Sequence, residues 1–320
     1  MRILVVGVGS IGQRHARSVH QLGHEVVPCD ANPELVGEVC ARFDLTESYL
    51  DYQEAVSHAF DAVLVCTPNH LHAPVAVAAY EHGSHVFVEK PIAHTVEDAR
   101  IIVDAAEAAG RVLLVGYVLR HWPGMATLLE KARGETIGPA YAARVMLGAP
   151  ETLVLARSDY RQRRGTGSGV ILDYSHELDY LRLLLGEVSM VACLTRTLSF
   201  LPVGAEGSAA MLLQFERGAV GELHLDYVRH SCRLLEIYGE RGMITFDFGT
   251  AHMSCSSWEG ATEDYSWPVE RDDAFLKQFR VFADLIAGRQ VLPEHNVDGL
   301  DALKTLAVAI AALRSADEMR

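Results

Sequence analysis

The sequence predicts an α/β protein of two domains: a parallel sheet flanked by helices, then an α+β domain carrying a large, mostly antiparallel open sheet. Three observations predict it. From Met1 to about Gly116, short β-branched runs alternate with amphipathic helical stretches, the rhythm of βαβ units. The first run leads straight into Gly7-Val8-Gly9-Ser10-Ile11-Gly12, a strand–turn–helix glycine pattern. After Pro139, consecutive β-rich segments are joined by short turns, Arg217-Gly218 and Glu240-Arg241-Gly242, which favour antiparallel pairing.

In the first domain, residues 1–120, strands are expected at Ile3–Val6, Glu25–Pro28, Ala62–Cys66, His85–Val88 and Val112–Val115. Each is a continuous apolar run, as a strand covered on both faces requires. Helices fill the intervals, about Ile11–Leu22, Pro33–Phe43, Leu71–His82 and Val96–Ala109. Pro33 sits where a first turn tolerates proline, and Gly110 is a helix stop. In the second domain, residues 121–320, strands are expected at Ala140–Leu147, Val188–Thr197, Ala209–Glu216, Gly221–Tyr227, Arg233–Tyr238 and Met243–Phe248. Two helices, about Asp273–Ala287 and Val297–Ser315, close the chain. The boundary near residues 118–123 is a change of architecture with no flexible linker.

Composition narrows the function. At 49% hydrophobic and 22% charged residues, the chain is neither disordered nor fibrous. The longest apolar stretch, Leu306 to Leu313, is far short of the ~20 residues a bilayer span needs. Ile3–Val6 runs into glycines without a small-residue cleavage site, so it reads as a strand and not a signal peptide. A formal charge of −14, from 28 basic and 42 acidic side chains, argues against nucleic acid or anionic lipid as partner. Six cysteines without a C-x-x-C pair suit a reducing cytoplasm and no metal site.

The glycine turn carries the first chemistry. In a strand–turn–helix setting, Gly7 allows the tight turn, Gly9 lets backbone approach a pyrophosphate, and Gly12 permits close helix–strand contact. The amides of Ser10, Ile11 and Gly12 then face the negative charge at a helix N-terminus. This is the fingerprint of a Rossmann dinucleotide-binding domain. Asp30, at the end of the second strand, suits the ribose hydroxyls of NAD and would repel the 2′-phosphate of NADP. The alternative for Asp30 is the cap of the helix that starts at Pro33.

Cys66-Thr67-Pro68-Asn69-His70-Leu71-His72 and Glu89-Lys90-Pro91 follow the third and fourth strands, beyond whose carboxyl ends ligands bind in open parallel sheets. With the glycine turn, with Gly116 to Pro123 including Arg120, with Gly167 to Asp179 including His176, and with His224-Leu225-Asp226-Tyr227, they resemble the Gfo/Idh/MocA family of sugar and cyclitol oxidoreductases. The resemblance covers essentially the whole chain. It implies an NAD-dependent dehydrogenase that oxidises a secondary ring hydroxyl to a ketone, assembled as a homodimer or homotetramer through the C-terminal sheet.

The resemblance also implies roles. Lys90 lies beside the nicotinamide and the substrate hydroxyl, where a cation stabilises developing oxyanion charge. His176 matches the family histidine that takes the hydroxyl proton, a role suited to a group titrating near neutrality. Asp173 precedes it by three residues where the family has four, so either Asp173 or Asp179 can pair with the imidazole. Cys66, Thr67, Pro68, Asn69, His72 and Glu89 join the cofactor site. Arg120 is expected at substrate or cofactor. His121 and Trp122 depart from the commoner family residues and are candidates for specificity, and Tyr160 and Arg161 stand on a polar, glycine-rich loop that could close over substrate. Free sugars, inositols, nucleotide sugars and amino sugars remain open as substrates. So do redox-neutral glycoside cleavage, reduction of an imine or exocyclic bond, and a non-catalytic NAD-binding sensor.

Overall fold

A computed structural model describes residues 1–148, 169–199, 205–228 and 230–319. The chain forms two compact units, Met1–His121 with Arg271–Leu306, and Trp122–Glu270 with Ala307–Arg320.

The first unit runs β1 (Arg2–Val6), α1 (Ser10–Gln21), β2 (Glu25–Cys29), α2 (Pro33–Phe43), α3 (Tyr52–Val56), β3 (Ala62–Val65), α4 (His72–Glu81), β4 (His85–Val88), α5 (Val96–Ala109) and β5 (Leu113–Val115). All five strands pair in parallel, in the order β2-β1-β3-β4-β5. β1, β3 and β5 are almost wholly buried, as their unbroken apolar runs require. α5 starts at Thr95, whose side chain accepts from the Asp98 amide, and stops at left-handed Gly110. The short α3 has no apolar period long enough to announce it. Asp51 starts it by accepting from the Gln53 amide.

The chain returns to this unit with α9 (Arg271–Ile286). Phe279 and Phe282 of α9 join Ile3, Val5, Ala16, Val19 and Phe87 in one apolar core. Beyond α9, the Val297 carbonyl accepts from the Val115 amide (2.9 Å), giving the edge strand β5 a backbone partner.

The second unit contains α6 (Met125–Arg133), β6 (Ala140–Gly148), the helical turn α7 (Val170–Asp173), α8 (His176–Leu185), β7 (Val188–Arg196), β8 (Ser208–Phe215), β9 (Val220–Asp226), β10 (Cys232–Gly239), β11 (Gly242–Asp247), β12 (His252–Ser257) and β13 (Thr262–Ser266). The helix α10 (Gly299–Glu318) begins in the first unit and ends in this one. Eight strands pair in the order β13-β12-β11-β10-β6-β9-β8-β7. Only β6 and β9 are parallel.

Alternation along these strands makes two faces. Val145, Met211, Leu223, Leu235 and Ile244 are buried on one. On the other, register sets Glu236 opposite Arg144 and Arg144 opposite Glu222, with Leu212 next along. β12 and β13 exceed the strands expected from sequence because His252–Ser257 and Thr262–Ser266 are mostly polar. β13 is the solvated edge, where packing demands least apolar content, and β12 beside it buries Met253 and Cys255 between polar residues.

Candidate functional site

The order β2-β1-β3 places a topological switch point between β1 and β3, where ligands lie beyond the strands' carboxyl ends. The glycine turn occupies that position. Gly7 has φ +87°, and a Cβ on it would stand 2.7 Å from the Cys66 carbonyl oxygen and 2.8 Å from the Thr67 amide nitrogen. A Cβ on Gly12 would stand 1.8 Å from the Gly7 carbonyl oxygen. These two glycines are therefore required by the protein's own packing. Gly9 differs, because a Cβ there meets nothing within 4 Å. It caps α1 without a side-chain acceptor, and the first turn has no acidic residue, so the amides of Ser10, Ile11 and Gly12 open α1 with nothing of their own on this helix to balance them.

Asp30 lies just past β2. Its Oδ2 accepts from the Val8 amide and its Oδ1 from the Asn32 amide, both at 2.9 Å. The cap of α2 is Asn32, which accepts from the Glu34 amide (2.9 Å), so the capping alternative for Asp30 is corrected. Asp30 instead ties the end of β2 to the glycine turn, with its charge beside that turn.

The loop after β3 carries Cys66, Thr67, Pro68 and Asn69, the last opening a 3-10 turn, Asn69–Leu71. Burial pushes the Cys66 thiol well up, which disfavours its thiolate. The Thr67 hydroxyl is buried with no hydrogen-bond partner among the described residues. His72 is fully buried. Its Nε2 lies 2.9 Å from the Thr67 carbonyl, and its Nδ1 3.0 Å from that of Pro91 and 3.2 Å from that of Ile92. Burial lowers its pKa. His72 thus lies between the Thr67 carbonyl after β3 and the Pro91 and Ile92 carbonyls after β4, bracing the two loops against each other.

The loop after β4 carries Glu89 and Lys90. Glu89 Oε1 meets His15 Nε2 at 2.7 Å, and Oε2 accepts from the Lys90 amide at 3.1 Å. Sequence reasoning missed His15. Its signal was its place on α1, one turn past Gly12 on the face that includes Ala16 and Val19. Arg120, in the 3-10 turn Val118–His121 after β5, is only 3% exposed. Its guanidinium donates to Asp301 Oδ2 (2.6 Å) and to the Glu294 carbonyl (3.3 Å). Those bonds tie it to the segment that returns beside β5. His121 packs its ring 4.8 Å from that of His295. Burial, helped by His295, Arg120 and Lys277, lowers its pKa to about 3.

The second unit gathers His176, Asp173 and Asp179 on adjoining helical elements, all under 9% exposed. Asp173 ends α7, His176 starts α8, and Asp179 follows one turn later on α8. Tyr227 donates its hydroxyl to Asp173 Oδ2 at 2.5 Å. The adjacent Glu177 is completely buried, and Arg233 Nε approaches its carboxylate at 2.9 Å. Tyr160 and Arg161 lie outside the described residues. Among the described residues no group of His, Cys, Asp or Glu could hold a metal ion, and no helix is long and apolar enough to cross a membrane.

The glycine turn fits a dinucleotide. Open space over Gly9, the amides of α1 and the Asp30 carboxylate supply a surface for a pyrophosphate and an acceptor for ribose hydroxyls. Comparison with known proteins agrees. Residues 1–117 match the Gfo/Idh/MocA model described as an oxidoreductase family with an NAD-binding Rossmann fold, and residues 125–245 match that family's C-terminal domain. An inositol 2-dehydrogenase of Cereibacter sphaeroides is 31% identical over 253 residues, covering 76% of this chain and 72% of that protein. The myo-inositol 2-dehydrogenase of Thermotoga maritima is 26% identical over 336 residues, 100% of this chain and 97% of that one. Levoglucosan dehydrogenase in complex with NADH shares the fold with a TM-score of 0.89 at 23% identity, over 99% of this chain and 97% of that one. The WlbA dehydrogenase from Bordetella pertussis, in complex with NADH and UDP-GlcNAcA, gives 0.85 at 25% identity, over 100% and 97%. With both of its domains matched and its glycine turn intact, the chain belongs to the Gfo/Idh/MocA family of NAD-dependent oxidoreductases.

Proposed function

We propose that this enzyme reversibly oxidises a secondary ring hydroxyl of a sugar, cyclitol, nucleotide sugar or amino sugar to the ketone. NAD, when bound, supplies the hydride acceptor. The Lys90 ammonium lowers the cost of negative charge on the reacting oxygen, and the His176 imidazole accepts the hydroxyl proton. Asp173, anchored by Tyr227, and Asp179 are the carboxylates that fix the histidine ring or contact substrate. Asp30 selects NAD over NADP. The observation that carries this reading is Lys90 itself, at the carboxyl end of β4 and with its backbone fixed by Glu89. The dehydrogenases of inositols, levoglucosan and a UDP-sugar among its relatives support the substrate class.

The test is reduced-nicotinamide absorbance with NAD and a panel of inositols, hexoses, UDP-sugars and amino sugars. Redox-neutral chemistry is the second reading. It is favoured by the 2,7-anhydro-N-acetylneuraminate hydratase of Escherichia coli, 30% identical over 186 residues, 58% of this chain and 49% of that protein. Product formation without net NADH would select it. Assembly as a homodimer or homotetramer through the open face of the C-terminal sheet is supported by Leu194, Leu212 and Met190, each more than half exposed there. Six free cysteines support a cytoplasmic setting.

A further inference from the structure

The Glu89 carboxylate is a junction of three elements. From α1, the His15 ring reaches Oε1 at 2.7 Å. From the loop after β4, the Lys90 amide reaches Oε2 at 3.1 Å. From the end of β5, Gly116 leaves the room the carboxylate occupies, since a Cβ there would lie 2.9 Å from Oε1. Gly116 has no positive φ, so it is the approach of Glu89, and not backbone conformation, that calls for glycine.

His15 has no freedom to do otherwise. It is 1% exposed and packs between the rings of Phe87 (4.9 Å) and Phe275 (5.3 Å). Its Nδ1 finds no hydrogen-bond partner among the described residues. The ring therefore has a single polar contact there, the one to Glu89. A buried imidazole with one nitrogen unpaired is a costly side chain for packing alone.

We propose that His15 and Glu89 are positioning residues for Lys90: a relay that fixes the lysine loop to the pyrophosphate-binding helix, so that the element holding the cofactor also sets the lysine. The helix that carries Gly12 carries His15 three residues later, on the same side. Glu89 passes that constraint to the Lys90 backbone. The relay rests on the reading of Lys90 given above, and the variants separate the two.

The test compares His15→Leu, His15→Gln and Gly116→Ala with Lys90→Met, alone and combined with His15→Leu, in the full-length enzyme. One measurement needs no turnover: the NMR resonance of Lys90 after reductive methylation with [13C]formaldehyde, followed as NAD is added. Wild-type enzyme shows one Lys90 resonance that moves with NAD. In His15→Leu and Gly116→Ala that resonance broadens or loses its response, while the Kd for NAD stays within about threefold, and His15→Gln, which restores an N–H, recovers it.

With myo-inositol or the panel compound that turns over, kcat falls about tenfold or more in His15→Leu and Gly116→Ala with KM for NAD little changed, and His15→Leu adds no further loss to Lys90→Met. A wild-type Lys90 resonance and kcat in both His15→Leu and Gly116→Ala would overturn the relay. So would a full additional loss on the Lys90→Met background, which is the mark of a merely structural role. If Lys90→Met itself turns over like wild type, the reading of the site falls, and the relay with it. Impaired Lys90→Met beside unimpaired His15→Leu and Gly116→Ala removes the relay alone.

Discussion

The Tyr227 hydroxyl donates to Oδ2 of Asp173 at 2.5 Å, in a setting where the tyrosine is fully buried and the aspartate nearly so. The two side chains are 54 residues apart, and the bond ties the end of β9 to the helical turn that precedes His176. Removing the donor while keeping the ring takes one hydrogen bond from a buried carboxylate. Tyr227→Phe is expected to cost ~1–3 kcal/mol of stability and to lower kcat more than it raises KM for substrate. Denaturant midpoints and steady-state kinetics check both. Wild-type values in each would show that the bond does no more than fill space.

The glycine turn predicts a split between folding and binding. Gly9→Ala places a methyl where no atom beyond its chain neighbours lies within 4 Å, so its melting temperature should match wild type. The same methyl intrudes on the pyrophosphate surface, and NADH affinity should fall ~10-fold or more. Gly12→Ala should lose both, because its Cβ would meet the Gly7 carbonyl at 1.8 Å. Paired thermal melts and NADH titrations read the difference. Equal destabilisation of the two variants would contradict it.

Much of this was legible in sequence where the cause is local. Continuous apolar runs give β1 to β5 because both faces of a parallel strand are covered. Pro33 and Gly110 stand at the ends of their helices because their own backbone preferences put them there. Contacts across long separations were not legible. His15 meets Glu89 74 residues on, and Arg120 meets Asp301 181 residues on; no local period predicts either. Asn32, not Asp30, caps α2, a choice made by which side chain can turn back onto the Glu34 amide. β13 escaped because a solvated edge strand lacks an apolar signature, and β12 because its two buried side chains, Met253 and Cys255, are set among polar ones.

Acid should destabilise the protein partly through His121. Burial, His295, Arg120 and Lys277 lower its pKa in the folded chain to about 3 from 6.5. Between those values the unfolded chain binds the proton and the folded chain does not, so stability rises with pH across this window and is lost as pH falls through it. His72 and His295 are lowered as well, mainly by burial, and act in the same direction. His121→Phe, which retains a ring beside His295, should flatten the fall in urea midpoint between about pH 7 and about pH 5. A slope parallel to wild type would remove His121 from the cause.

The open face of the eight-stranded sheet gives a solution prediction. Leu212 is 62% exposed, and its neighbours Ala192 and Glu222 share that face. If copies of the chain meet there, Leu212→Glu buries an unpaired charge in the interface. Light scattering after size exclusion should report an oligomer for wild type and a smaller species for the variant. An unchanged mass would place the interface elsewhere.

The proposed hydride transfer from a ring carbinol, with Lys90 at the reacting oxygen, is read out by reduced-nicotinamide absorbance when purified enzyme and NAD meet the panel of inositols, hexoses, UDP-sugars and amino sugars, beside Lys90→Met. NADH should form with one substrate class, at a rate lower by ~10²-fold or more in the variant, with NAD affinity nearly intact. No NADH with any compound despite NAD binding, or equal rates for the two proteins, would contradict it.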